Sequence, residues 1–164
     1  MNKHTNLYLT LFFFSIMFYS CSTSRKIDTT LGKVYERDQN IRKAAMELTR
    51  SVSQGNNMLV DSLVKITNEM NQIDEENIII VEDILKNGIP EKLSKQSYET
   101  IWLVIDHASL EKQEKYLPII EEMNSRKILS KSRYAILYDR IAMKRNCPQR
   151  YGTQTIQIAS DNTM

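Results

Sequence analysis

Asp38 is a carboxylate placed inside an apolar helical stripe. It lies four residues after Val34 and three before Ile41, and both of these positions belong to the stripe. Leaving such a charge unpaired in a core costs several kcal/mol. Arg42 follows one helical turn later, where an Asp and an Arg at four-residue spacing can meet, and Gln39 lies at the edge of the same face. We therefore expect an ion pair between Asp38 and Arg42.

Three further polar groups interrupt apolar patterns. Asp106 and His107 end the most apolar stretch of the chain, and Asp139 and Arg140 stand between two apolar triplets. The run 148–154 (PQRYGTQ) is dense in hydrogen-bonding side chains around a glycine that permits a tight turn. Such residues are typical of a polar site or network inside a helical protein.

One hypothesis is that these side chains converge on a single polar pocket. Arg42 and Arg140 could hold a carboxylate or phosphate through paired donors. His107 could exchange a proton near neutral pH, and Asp38 or Asp74 could act as a base. An enzyme of this kind, possibly hydrolase-like, would use His107 with Asp38. The other residues expected in the pocket or network are Gln39, Asn77, Asp139, Gln149, Tyr151, Gly152, Thr153 and Gln154.

A structural network explains the same pattern. An ion pair between Asp38 and Arg140, or between Asp139 and Arg42, with Gln and Tyr hydrogen bonds around it, would tie helices together. A lone histidine on an apolar helix is more often a satisfied core residue than a catalyst. The pattern therefore favours a binding or scaffold module, with a pocket for a small anionic ligand as a further alternative.

Several chemical classes lack support in the sequence. His107 is the only histidine after residue 20, so no zinc site is expected, and no cofactor motif is present. A magnesium or calcium site through Asp74, Asp106 and Asp139 stays open. Removing residues 1–20 leaves 21 basic against 20 acidic side chains, which argues against nucleic acid as a partner.

The N-terminus has the layout of a secretory signal. Lys3 precedes the apolar run Leu7 to Tyr19, and the small Ser20 stands directly before Cys21. The run is shorter than the roughly 20 residues of a membrane span. The stretch FYSC resembles a lipobox, so we expect cleavage before Cys21 and attachment of fatty acids such as palmitate. This predicts a lipid anchor at the cell membrane, in the outer membrane if the host is Gram-negative, since Ser22 is not the aspartate associated with inner-membrane retention.

Apolar residues at three-and-four spacing dominate the rest of the chain. They predict a compact all-α bundle of five to seven helices, in which Pro118 either kinks a helix or opens a new one. The alternating TQTIQI at 153–158 predicts a short extended C-terminal tail. Helices are expected over 33–53, 58–70, 74–86, through 101–105, after Ser109, and from Ser130 or Ser132 to about Arg145.

These patterns divide the chain into four parts. Residues 1–20 are the predicted signal peptide, and the polar residues 21–32, which include a glycine, are a predicted lipidated tether. Residues 33–158 form a single helical domain, and residues 159–164 fray.

Seven motifs follow one another in the domain. They are DQNIR at 38–42, DEEN at 74–77, NGIP at 87–90, WLVIDHA at 102–108, LPIIEE at 117–122, YAILYDR at 134–140 and PQRYGTQ at 148–154. Together they resemble the domain-of-unknown-function family 6624 (DUF6624). The resemblance implies a bacterial, mostly helical domain with no assigned activity. Two positions depart from the family pattern, since Ile89 replaces an aromatic residue and Asp106 replaces a glutamine.

Overall fold

Five α-helices form the protein in a computed structural model that describes residues 3–155, with side chains from Thr23 onward. The helices are α1 (Lys3–Ser53), α2 (Val60–Leu85), α3 (Lys95–His107), α4 (Leu110–Ser125) and α5 (Lys131–Lys144). A short 3-10 turn, Asn57–Leu59, joins α1 to α2, and residues 3–155 contain no strand. The predicted all-α fold is confirmed. Most of the predicted extended tail and the predicted frayed end, residues 156–164, lie outside the described residues.

The chain divides into two compact units, Met1–Val104 and Ile105–Met164, with the boundary inside α3. In the first unit α1 and α2 run antiparallel, because Arg37 contacts Glu76 while Arg42, later on α1, contacts Met70, earlier on α2. Buried apolar side chains of this unit form its core. They include Leu31, Val34, Ile78, Val81, Leu85 and Ile101.

The prediction of a tether over residues 21–32 is wrong for the part whose side chains the structure describes. Residues 23–32 lie within α1, and Leu31 is fully buried. The physical reason is that Ile27 and Leu31 extend the apolar stripe of Val34 by two turns toward the N-terminus. Gly32 does not end the helix, because the cost of about 1 kcal/mol for a glycine inside a helix is smaller than the gain of about 1.5 to 3 kcal/mol from burying Leu31.

The two helices predicted at 58–70 and 74–86 are one helix, α2. No glycine or proline lies between Met70 and Asp74, so nothing in the backbone ends the first of them. Asp74 was expected to start a helix, but in the structure it lies inside α2 and accepts a hydrogen bond from Arg42 on α1. A tertiary contact, rather than a cap, explains its position.

Asp28 on α1 holds the start of α3. The Ser97 amide donates to Ser94 Oγ at 3.1 Å, so Ser94 caps the helix. Asp28 Oδ1 accepts from the Ser94 amide at 3.0 Å and from the Ser97 hydroxyl at 2.6 Å. Burial alone would raise the pKa of Asp28, but these hydrogen bonds outweigh burial and hold the pKa below its ordinary value.

The second unit is built on α4 and α5. These helices are antiparallel as well, since Glu114 near the start of α4 pairs with Arg145 just after the end of α5. α4 continues through Pro118, so no new helix opens there. The fully buried apolar side chains of this unit are Ile105, Ile120, Met123 and Leu137.

Candidate functional site

In the first unit, Arg42 joins two carboxylates on different helices. Its Nε lies 3.1 Å from Asp38 Oδ1 on α1, and its Nη2 lies 2.5 Å from Asp74 Oδ1 on α2. The remaining nitrogen, Nη1, lies 3.3 Å from the sulfur of Met70. Gln39 donates to the second oxygen of Asp38 at 2.8 Å. The predicted ion pair between Asp38 and Arg42 is confirmed.

The burial of this network, and the partners of Arg42, indicate a structural role. Asp38 is fully buried, and the side chain of Arg42 is 24% exposed. Because each nitrogen of Arg42 already has a partner, the geometry favours a structural tie between α1 and α2 over the predicted anion-binding role of Arg42. Arg42 is the one cation of the described network and faces both carboxylates, so it compensates part of the negative charge that Asp38 and Asp74 bring into it.

Asn77 lies one turn after Asp74 on α2 but belongs to a different contact. Arg37 donates to the side-chain oxygen of Asn77 and to Glu76. Asn77 is 1% exposed, and its Nδ2 has no hydrogen-bond partner among the described residues. Among the described residues, this amide is the one buried side-chain donor without a partner. A buried donor that makes no hydrogen bond lowers the stability of the fold.

In the second unit, Asp139 organises the PQRYGTQ turn. Its Oδ1 accepts from the backbone amides of Arg150 at 2.8 Å and Tyr151 at 3.0 Å. Its Oδ2 accepts from the amide of Thr153 at 2.8 Å and from the Thr153 hydroxyl at 3.0 Å. Gly152 has a φ of 67°, which lets successive amides face one carboxylate.

This arrangement explains the electrostatics of Asp139. Burial alone would raise the pKa of this carboxyl. The hydrogen bonds from Thr153 and Tyr151, followed by that from Arg150, outweigh burial and hold the pKa below its ordinary value. Both carboxylate oxygens face N–H and O–H donors, which is the opposite of what a cation requires. Within the second unit the turn therefore holds Asp139, and the predicted pair of Asp139 with Arg42 joins residues of the two units and stays a prediction.

Gln149 and Gln154 close the same turn. The Gln149 side chain donates to the Gln154 carbonyl at 2.8 Å and accepts from the Gln154 amide at 2.8 Å. Gln154 Nε2 also donates to the carbonyl of Ile136 on α5 at 3.3 Å. The predicted residues Gln149, Tyr151, Thr153 and Gln154 are thus brought together with Asp139.

Three tyrosines pack beside this turn. The ring centroids of Tyr134, Tyr138 and Tyr151 lie 5.8 to 6.2 Å apart, in tilted and edge-to-face arrangements. The Arg150 guanidinium lies 5.5 Å from the Tyr151 centroid. Burial raises the pKa of Tyr134. The four-residue spacing of Tyr134 and Tyr138 puts both rings on one face of α5, and no sequence pattern connects them with the turn.

Arg140 belongs to a separate network of the second unit. Its Nε lies 2.9 Å from Asp106 Oδ1, and Gln113 Nε2 donates to the Asp106 carbonyl at 2.6 Å. Lys144 Nζ donates to Gln113 Oε1 at 3.1 Å. Burial raises the pKa of Asp106, and electrostatic interactions with Arg140, His107 and Lys144 offset only part of this effect. Burial and the nearby Arg140 lower the pKa of Lys144.

Gln113 and Lys144 were missed as network members. Gln113 is fully buried and shares its face of α4 with Tyr116, Ile120 and Met123. A glutamine in that stripe is the signal that could have identified it. Lys144 offered no such signal, because a lysine near the end of a helix is ordinarily explained by the helix dipole.

The predicted residues therefore fall into distinct groups within each unit. Asp38, Gln39, Arg42 and Asp74 meet in the first unit, and Asp139 meets the turn in the second, whereas Arg140 lies in its own network. The predicted pairing of His107 with Asp38 joins residues of the two units and stays a prediction. The lipidation residue Cys21 lies outside the described side chains.

Comparisons of the chain with protein-family models, with curated proteins and with solved structures give no match. The protein is thus defined by its all-α fold and its polar networks, and the similarity to DUF6624 stays a prediction. Among the described residues, no helix combines the length and the apolar character needed to cross a bilayer.

Proposed function

We propose that this chain is a membrane-anchored bacterial lipoprotein whose helical domain serves as a binding or scaffold module of the cell envelope. The anchor would be the lipid on Cys21. Support comes from the order of Lys3, the short apolar run and the small Ser20 directly before Cys21. Two or more acyl chains hold a protein far more firmly than one.

The scaffold role is supported by the hydrogen bonds and ion pairs that the buried polar side chains already make within the protein. Arg42 ties two carboxylates across α1 and α2, and Asp139 is saturated by the turn that it organises. A general base needs a lone pair within reach of a substrate proton, and Asp139 offers none.

We expect labelled palmitate fed to the host to mark the wild-type protein and not a Cys21→Ser variant. The thiol of Cys21 is the acyl acceptor, so its loss should also move the protein out of the membrane fraction. Cys147→Ser is the matched control, since Cys147 is an exposed free cysteine, and it should be labelled like the wild type. Equal labelling of Cys21→Ser, or an unlabelled wild type, would refute the anchor.

One observation favours a small anionic ligand for the second unit. Among the described residues, Arg140 donates only through Nε, to Asp106, and its side chain is 32% exposed. Both terminal nitrogens of this guanidinium therefore remain available for a carboxylate or phosphate. Lys144 adds a second cation beside a single buried carboxylate. The binding module would thus accept an anion at Arg140 and Lys144.

We expect Lys144→Gln to weaken the binding of inorganic phosphate to the full chain about tenfold, the effect of one lost charge-assisted contact. Isothermal titration calorimetry on the detergent-solubilised protein measures this affinity. Lys65→Gln removes an exposed lysine of α2 and serves as the control. Equal affinities of the wild type and Lys144→Gln would contradict an anion site at this position.

A further inference from the structure

Asp106 lies beside the two cations of the proposed anion site in the second unit. Its Oδ1 accepts a hydrogen bond from Arg140 Nε at 2.9 Å. Gln113 connects it to the other cation, because Gln113 Nε2 donates to the Asp106 carbonyl at 2.6 Å and Gln113 Oε1 accepts from Lys144 Nζ at 3.1 Å. The Asp106 carboxylate therefore cancels part of the positive charge that an anion would meet at this site.

The guanidinium of Arg140 is shared between this carboxylate and the place offered to an anion. Its Nε faces Asp106, whereas its terminal nitrogens donate to no acceptor among the described residues. An anion at the terminal nitrogens would lie on the same guanidinium as the carboxylate. Because Asp106 is only 3% exposed, water screens its charge weakly. The two negative charges would therefore repel each other.

The charged side chains that act on Asp106 come from two helices of the second unit. They are His107 on α3 and Arg140 and Lys144 on α5. From α4 the neighbour is Gln113, which is fully buried and carries no charge. Within this unit, Asp106 is thus the carboxylate that pairs with Arg140, and its charge decides how much positive charge the site offers.

Asp106 gains a proton more readily than a free aspartate does. Burial raises the pKa of its carboxyl above the ordinary value of 3.8, and the nearby Arg140 offsets only part of this effect. A proton on the carboxyl would leave the charges of Arg140 and Lys144 uncompensated within the network. A bound anion would in turn favour uptake of this proton, because coupling between two ligands is reciprocal.

We propose that Asp106 competes with the anion for Arg140 and that a proton on Asp106 strengthens anion binding. The inference rests on the proposed anion site at Arg140 and Lys144 and adds its regulation. The domain would bind an anion more tightly as the medium becomes acidic and release it as the pH rises.

Calorimetric titration of the detergent-solubilised full chain with sulfate at several pH values tests this proposal. Sulfate is the probe because, unlike phosphate, it takes up no proton near neutral pH. We expect the wild type to bind sulfate more tightly as the pH falls from about 7.5 to about 4.5. Asp106→Asn keeps an acceptor for Arg140 Nε but loses the charge. It should bind sulfate about tenfold more tightly than the wild type at neutral pH and lose the pH dependence.

The matched control is Glu122→Gln, which removes one exposed carboxylate from α4. It changes the net charge of the protein by the same amount as Asp106→Asn. Glu122 lies nine residues after Gln113, which is about 14 Å along the helix. This variant should bind sulfate like the wild type at every pH. An equal gain in affinity in Glu122→Gln would overturn the proposal, because net charge alone would then explain the effect.

The remaining outcomes separate this inference from the anion site on which it rests. A wild type whose sulfate affinity is constant with pH overturns the role of Asp106 alone. The same holds if Asp106→Asn keeps the full pH dependence, since another group such as His107 then supplies the proton. A wild type that binds no sulfate at any pH overturns the anion site as well.

A measurement on the wild type alone covers the case in which Asp106→Asn does not fold. Titration with sulfate in two buffers of different ionisation enthalpy measures the protons exchanged on binding. We expect proton uptake, because the anion favours the protonated form of Asp106. Sulfate binding without proton uptake at every pH tested would overturn the proposal.

Discussion

Replacing Arg42 by alanine is expected to lower the free energy of unfolding by about 3 kcal/mol, because it removes the cation of a buried pair. The guanidinium contacts Asp38 and Asp74, and Asp38 is fully buried. For a chain of this size the change corresponds to roughly 6 to 12 °C in melting temperature. Thermal unfolding followed by circular dichroism measures it.

Two variants sharpen this experiment. Arg50→Ala removes an exposed arginine from the last turn of the same helix and should cost less than about 1 kcal/mol. Combining Arg42→Met with Asp38→Asn removes one charge of each sign and should recover part of the loss. If Arg42→Ala has the same melting temperature as the wild type, the network does not hold α1 and α2 together.

Asp139→Asn is expected to release the turn at residues 149–154 at a cost of about 2 to 3 kcal/mol, the loss of hydrogen bonds to a charged acceptor. Asparagine retains one acceptor oxygen. Its amide group is a donor and would face the N–H groups that donate to the second carboxylate oxygen of Asp139 in the wild type. The loss of order should appear as faster tryptic cleavage after Arg150, together with a lower melting temperature. Asp83→Asn, at a highly exposed position that pairs with Lys86, is the control.

The effect of Asp139→Asn should also depend on pH. The pKa of Asp139 lies below the value of 3.8 for the free side chain. Its contribution to stability is therefore present above about pH 3.8 and is lost as the pH falls through the lower pKa of the folded state. The difference in melting temperature between wild type and variant should narrow below pH 3.8. A difference that stays constant down to pH 2 would contradict the assigned role of the carboxylate.

The all-α fold and the pair of Asp38 with Arg42 could be predicted, because both depend on local periodicity. The extent of α1 and α2 could not. Residues 23–32 resemble a linker by composition, yet packing of Leu31 makes them helical. Asp74 resembles a helix start, yet it is placed by a partner 32 residues away. Tertiary contacts override local signals at these positions.

The candidate site was only partly predictable for a related reason. The turn residues were identified by their hydrogen-bonding capacity, but the partner of Asp139 is mostly backbone, which no side-chain pattern reveals. The separation of Arg140 from Asp139, its neighbour in sequence, follows from helix geometry, since adjacent residues point about 100° apart on α5. The predicted lipid anchor does not depend on tertiary contacts, because its signal is a continuous stretch of sequence and can be identified without the fold.

The most direct test of the proposed lipoprotein is the intact mass of the protein purified from host membranes. We expect a chain that begins at Cys21 and carries the added mass of a diacylglyceryl group, with or without a further amide-linked acyl chain. A mass equal to that of an unmodified chain, or of a chain that retains residues 1–20, would contradict the anchor and with it the proposed place of this domain in the cell envelope.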